Sequence, residues 1–185
     1  MNILGLKPVG SVFAPAISLT AQNKKPWTLE SARGRVVVLT FFDARCLDIC
    51  PVLGAELARA RQLLGPRARV TFVVVNTNPF DLDPSSPPAL SETGLANLAN
   101  VYFLNGQLNA LTNVWSNYGV QVRVTAKHQQ FHNNVMYFIT PGGRINALAS
   151  PFANEDRRAR FTLPRAQIER FARGVAQLAS NLETS

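Results

Sequence analysis

The only two cysteines of the chain stand four residues apart, in Cys46-Leu47-Asp48-Ile49-Cys50-Pro51. Thiols at that spacing can close a disulfide, bind a soft metal as thiolates, or couple the two processes. The plain alternative is a structural bridge or a pair of inert buried thiols. A metal on two thiolates needs at least one more donor, and the chain has two histidines, His128 and His132. Imidazole beside two thiolates suits copper, and also zinc once a fourth ligand or water is added. Chemistry alone does not choose between the histidines, and either also reads as a surface or capping residue.

The elements around the cysteines must hold them together. The run Val36-Val37-Val38-Leu39-Thr40-Phe41-Phe42 is β-branched and aromatic and reads as a buried strand. Beyond the cysteines, Val52, Leu53, Leu57, Ala60, Leu63 and Leu64 recur at helical spacing until Gly65-Pro66. Pro51 biases Cys50 away from helical geometry and itself suits the first helical position. Both sulfurs are therefore expected on a strand-to-helix turn, where the positive end of the helix dipole favours thiolate.

Further along, Arg69–Asn76 reads as a second buried strand, and the Pro- and Ser-rich stretch 81–88 as a loop. A helix is expected over about 88–100, then a short strand at Val101–Leu104. Leu108, Leu111, Val114, Trp115 and Tyr118 form another helical face, closed by Gly119 at C′. Trp115 and Tyr118 read as core anchors. A small strand falls within 120–124, and a hairpin pairs Val135–Thr140 with Arg144–Ala149 through Pro141-Gly142-Gly143. Phe13–Thr20 reads as a short edge strand. Pro164 opens a last helix, with Ile168, Phe171, Val175 and Leu178 on one stripe. The order implies an α/β domain: a central mixed β-sheet flanked by helices, preceded by an N-terminal strand extension. The cysteine turn then lies at the C-terminal end of a central strand, where open α/β sheets bind ligands.

With 185 residues the chain suits one well-cored domain, read as 13–185 behind a loose arm at 1–12. No run of apolar residues is long enough to span a bilayer, and residues 1–20 lack the apolar core of an export signal. The protein is then either cytoplasmic or carries its signal or anchor outside this chain. The net charge is +8, and Arg157, Arg158, Arg160, Arg165, Arg170 and Arg173 cluster near the C-terminus. Aromatic residues are too sparsely interleaved there for a nucleic-acid surface. A solvated helix face is the first reading, and attraction to an acidic partner or anionic membrane surface the second.

The segment Phe41-Phe42-Asp43-Ala44-Arg45-Cys46-Leu47-Asp48-Ile49-Cys50-Pro51 resembles the Sco/SenC family of copper-binding, thioredoxin-like proteins. That family carries C-x-x-x-C-P on its first βα turn, with Asp between the cysteines, matched by Asp48. Its third copper ligand is a histidine five residues before a Tyr. His132 stands in that relation to Tyr137, with Phe138-Ile139 and Pro141-Gly142-Gly143 following. The pattern from Leu104 to Val122 is similar to a bacterial branch of the family. The sequence departs from the family pattern at Ala44, Leu47 and Asn78-Pro79, where Thr, Pro and Asp-Pro are common.

The resemblance implies a thioredoxin-like fold, copper as cofactor, and Cys46, Cys50 and His132 as its ligands, with Cys46 and Cys50 also a redox pair. It implies a metallochaperone that serves the dinuclear copper centre of cytochrome c oxidase, whose copper-receiving subunit would be the partner. It also implies an extracytoplasmic location and a membrane anchor in the full-length protein. Whether such a chain counts as an enzyme turns on the alternative function, a thiol-disulfide oxidoreductase of thioredoxin-like fold. Against that alternative, the spacing is not C-x-x-C, and no proline occurs between Pro88 and Pro141. A peroxiredoxin-type peroxidase lacks its Ser or Thr, because Asp43 and Leu47 stand three residues before the cysteines. A copper or redox sensor is a further, non-enzymatic reading.

Overall fold

Two strands of consecutive β-branched and aromatic residues organise the fold. The computed structural model describes residues 7–43, 46, 49–83, 94–125, 130–150, 154–155 and 161–184. Strands β4 (Val36–Phe42) and β5 (Val70–Asn76) are buried along their whole length. They pair in parallel from Val36↔Val70 to Phe42↔Asn76. Side chains alternate across a sheet, so each strand feeds two cores. Val36, Val38, Phe42, Phe72 and Val74 join one cluster, and Val37, Leu39, Phe41, Val73 and Val75 the other.

The full sheet has the order β1-β10-β9-β4-β5-β6-β2-β3. The outer members are β1 (Lys7–Phe13), β2 (Ser18–Ala21), β3 (Pro26–Thr28), β6 (Val101–Asn105), β9 (Met136–Ile139) and β10 (Arg144–Ala149). β6 is parallel to β5, whereas β9 is antiparallel to β4, so the sheet is mixed as expected. The arm expected over residues 1–12 contributes β1, paired with β10. The strand expected at Phe13–Thr20 is β2; it lies between β6 and β3 rather than at the edge. Two small ribbons stand apart: β7 (Val122–Val124) with β8 (Gln130–His132), and β11 (Asn154–Glu155) with β12 (Phe161–Thr162).

Helix α1 (Cys50–Leu64) starts at the second cysteine, and α2 (Leu108–Asn117) covers the opposite sheet face. The end of α2 meets the expectation at Gly119. Val120 N–H reaches Trp115 O at 2.7 Å and Gly119 N–H reaches Ser116 O at 3.1 Å, with Gly119 at φ +63°. That is a Schellman closure, which needs the left-handed backbone glycine allows. Helix α3 (Arg165–Glu183) packs beside α1 and buries Phe171, Val175, Ala179 and Leu182. Small residues complete this stripe, so Ile168 and Leu178 lie at its margins. Arg165 and Arg170 are exposed, while Arg173 pairs with Glu169 at 2.9 Å. Arg157, Arg158 and Arg160 lie outside the described residues. So does most of the helix expected over 88–100; its described part holds a 3-10 turn, Leu95–Asn97. Among the described residues no helix is long and apolar enough to cross a membrane.

Because α1 is covered on several sides, it buries one carboxylate. Glu56 is 1% exposed, and neither of its carboxylate oxygens has a hydrogen-bond partner among the described residues. Burial raises its pKa from 4.5 to about 8. The unfolded chain gives up this proton first, so stability is fully present below about 4.5 and falls until about 8. We expect wild-type unfolding free energy to drop across that window, with a limiting slope of about 1.4 kcal/mol per pH unit. Urea titrations at a series of pH values should show the drop in wild type and a flatter profile in Glu56→Gln.

Candidate metal centre

The sheet ends in a polar rim at the C-terminal tips of β4 and β5. β4 stops at Phe42, and Asp43 begins the connection to α1. Cys46 N–H donates to Asp43 O at 3.2 Å, which starts the turn, and Val52 and Leu53 N–H close on Ile49 O at 3.0 and 3.1 Å. Contrary to the expectation, Cys50 is itself the first helical residue and Pro51 the second, a position whose N–H has no helical partner either. The turn brings the two thiols into hydrogen-bond contact. No disulfide joins them; Cys46 is half-buried and Cys50 is fully buried.

The electrostatics of Cys50 differ from the sequence expectation. Its pKa is raised, first by the hydrogen bond to the Cys46 sulfur and then by burial. The dipole of α1 does not outweigh these effects, because a second sulfur and a dry environment both favour the neutral thiol. Cys50 therefore keeps its proton, directed at Cys46, and a bound cation must displace it.

His132 ends β8, the second strand of the small ribbon, where it faces Val122. The base of the ribbon is clasped by Asn133. Gln121 N–H donates to Asn133 Oδ1 at 2.7 Å, and Asn133 Nδ2 donates to Gly119 O at 3.2 Å. Tyr137 Oη donates to Tyr118 O just behind, and their rings meet edge-on at 5.1 Å. The imidazole Nδ1 lies 3.2 Å from Asn133 O. A carbonyl only accepts, so Nδ1 carries the proton and Nε2 the lone pair. Burial lowers the His132 pKa, against the Asn133 hydrogen bond and the charge of Asp43. The ring is thus the neutral form that ligates metals.

The β4–β9 register places this group. Thr40 faces Met136, and beyond the ladder Thr40 Oγ1 still donates to Val135 O at 3.0 Å. Past the end of this ladder the charge of Asp43, three residues after Thr40, still reaches the His132 ring. The histidine is on the rim that holds the thiols, but it stands off from them. Among the described residues no group of three or more His, Cys, Asp or Glu side chains is close enough to hold a metal. The thiol pair is in place, and His132 stands on a ribbon that, among the described residues, pairs only with itself. His128 lies outside the described residues.

An amide network that sequence reading misses supports the rim. Asn78 Nδ2 donates to Asp43 Oδ1 at 3.0 Å. Asn78 N–H is held by Asn76 Oδ1 at 2.9 Å, and Asn76 Nδ2 reaches Asn105 Oδ1 at 3.1 Å and Asp81 O at 2.8 Å. Trp115 Nε1 caps Asn76 O at 2.8 Å. Its one sequence signal is the polar run Asn76-Thr77-Asn78-Pro79 directly behind an apolar strand.

Fold and rim together define a thioredoxin-like protein with a dithiol on its first βα turn and a histidine ribbon beside it. The chain belongs to the SCO1/SenC family, which it matches over residues 8–162. No curated protein matches it at the sequence level. Among solved structures, Arabidopsis thaliana ScoI with copper bound is 20% identical, with TM-score 0.68 over 90% of this chain and 97% of that one. A SCO1/SenC family lipoprotein from Bacillus anthracis is 22% identical, with TM-score 0.67 over 94% and 98%. BsSco, a member of the Sco family of cytochrome c oxidase assembly proteins with a disulfide switch, is 19% identical, with TM-score 0.63 over 95% and 97%. At these identities the likeness establishes the fold.

The unequal exposure of the sulfurs yields an expectation about reactivity. Iodoacetamide should label Cys46 of the native reduced protein well before Cys50, read by peptide mass mapping over time. Equal labelling rates would contradict the buried position of Cys50.

Proposed function

We propose that this chain is a copper carrier of the Sco type, taking the ion on Cys46, Cys50 and His132 and serving assembly of the dinuclear copper centre of cytochrome c oxidase. The observation that carries this reading is the pair of thiols in contact at the end of β4, with a neutral, Nε2-available histidine on the same rim. Thiolates select soft ions, and a third imidazole donor completes a trigonal set. The ribbon bearing His132 would swing from its Asn133 clasp to reach the thiols. Opening it would remove one of three donors and ease hand-over to the copper-receiving subunit. Relatives with copper bound, such as Arabidopsis ScoI, support the choice of ion. The lipoprotein relative supports an extracytoplasmic, membrane-tethered setting.

Cu(I) affinities measured against a competing chelator test the ligand set. Cys46→Ala and Cys50→Ala should each lose binding by more than about a hundredfold, and His132→Ala by about tenfold or more. His128→Ala should stay near wild type; the reverse order of the two histidines would reassign the third donor.

A second reading, thiol-disulfide exchange, is favoured by the asymmetry of one accessible and one buried sulfur. Cys46 would attack a partner disulfide and Cys50 would resolve the mixed disulfide, leaving Cys46–Cys50 oxidised and two thiols on the partner. The two readings share a coupling, since the disulfide has no thiolate to offer a metal. Poising the protein across a series of glutathione potentials should make copper retention follow the free-thiol fraction. Full retention by oxidised protein would separate the metal site from the cysteines.

A further inference from the structure

Asp43 is held where its charge bears on the whole rim. It is 8% exposed, follows β4 directly, and its backbone carbonyl accepts the Cys46 N–H. Its Oδ1 is fixed by Asn78 Nδ2 at 3.0 Å, and Asn78 is itself pinned through its backbone N–H by Asn76. It follows the end of the β4–β9 ladder, whose last pair is Thr40↔Met136, and its charge reaches the His132 ring, four residues before Met136. Among the described residues it is the one carboxylate whose charge acts on both Cys50 and His132. Resting on the copper reading above, we propose that Asp43 is a positioning charge that shifts the preference of the site from Cu(I) toward doubly charged ions.

The charges of the filled site decide the direction. Two thiolates and a neutral imidazole carry a charge of minus two. With Cu(I) the filled site keeps one negative charge, which a neighbouring carboxylate repels. With a divalent ion the filled site is neutral, and the same carboxylate costs it nothing. Solvent screens this difference poorly, because Asp43 is buried and braced and cannot swing into water. The effect acts through the charge and needs no bond from the carboxylate to the metal.

The test compares wild type, Asp43→Asn and Asp43→Glu on the full chain. An asparagine keeps an acceptor for Asn78 and removes only the charge. Cu(I) is titrated against a chromophoric chelator, and redox-inert Co(II) through its thiolate-to-metal absorption. Asp43→Asn should raise the ratio of Cu(I) to Co(II) affinity by about tenfold. Asp43→Glu should move that ratio back toward wild type. An unchanged ratio in Asp43→Asn, with both ions still bound, would overturn the proposal and leave the copper reading standing. Equal weakening toward both ions would overturn it too, since that marks a merely structural role. Wild-type protein that binds neither ion would remove the copper reading and this inference together.

Discussion

The structure depends on the parallel pairing of β4 and β5, which ends for both strands at one level. Seven successive residue pairs run from Val36↔Val70 to Phe42↔Asn76, all of them buried. Apolar burial on both faces makes this the stiffest part of the chain, and its stiffness sets how accurately the strand ends and the cysteine turn are placed. Because the strands stop together, polar residues of both connections emerge side by side. Asp43 leaves β4 beside Asn76, Thr77 and Asn78 leaving β5. Thr77 N–H donating to Phe42 O at 3.3 Å is the last tie between them.

A polar rim on an apolar sheet must satisfy its own hydrogen bonds. Buried Asn76 does so by bridging three segments: the turn at Asn78–Asp81, the end of β6 at Asn105, and Trp115 of α2. Each partner is a group that would otherwise be left unpaired in the interior, so loss of any member costs more than one hydrogen bond. The network reaches Asp43 through Asn78 and thereby the cysteine turn. The same residues that terminate the sheet also fix the charge beside the thiols.

Much of this is legible in the sequence. The buried strands, the helix behind the cysteines, the Gly119 closure and the β9–β10 hairpin obey local rules of pattern and turn chemistry. The thiol pair is legible because its members are close in sequence. The features that escape depend on segments meeting from far apart. The roles of Asp43, Asn78 and Asn105 need three strand ends brought together, and no single-segment pattern announces that. The neutral state of Cys50 escapes for a related reason: helix position is a local cue, whereas burial and the Cys46 contact are tertiary. The β7–β8 ribbon is half legible. Its first strand alternates, but Gln130–His132 is too short and polar to signal a partner.

On the proposed copper reading, that ribbon would let one rim both capture and release an ion. A donor set locked in the rigid sheet would bind tightly and let go slowly. Cys46 and Cys50 sit at the end of β4 and the start of α1, whereas His132 sits on a ribbon whose strands, among the described residues, pair only with each other. Asn133 clasps its base through Gln121 and Gly119, and Tyr137 secures the strand behind it. The imidazole is neutral and presents Nε2, so on the copper reading its approach to the thiols would need no proton exchange at the ring. Both thiol protons would have to leave, and that of Cys50, held by burial and the Cys46 contact, would be tied to arrival of a positive charge at the sulfurs. On that reading capture would be divided between two sulfurs at the sheet end and a nitrogen on a separate ribbon, and an acceptor would need to displace the nitrogen first.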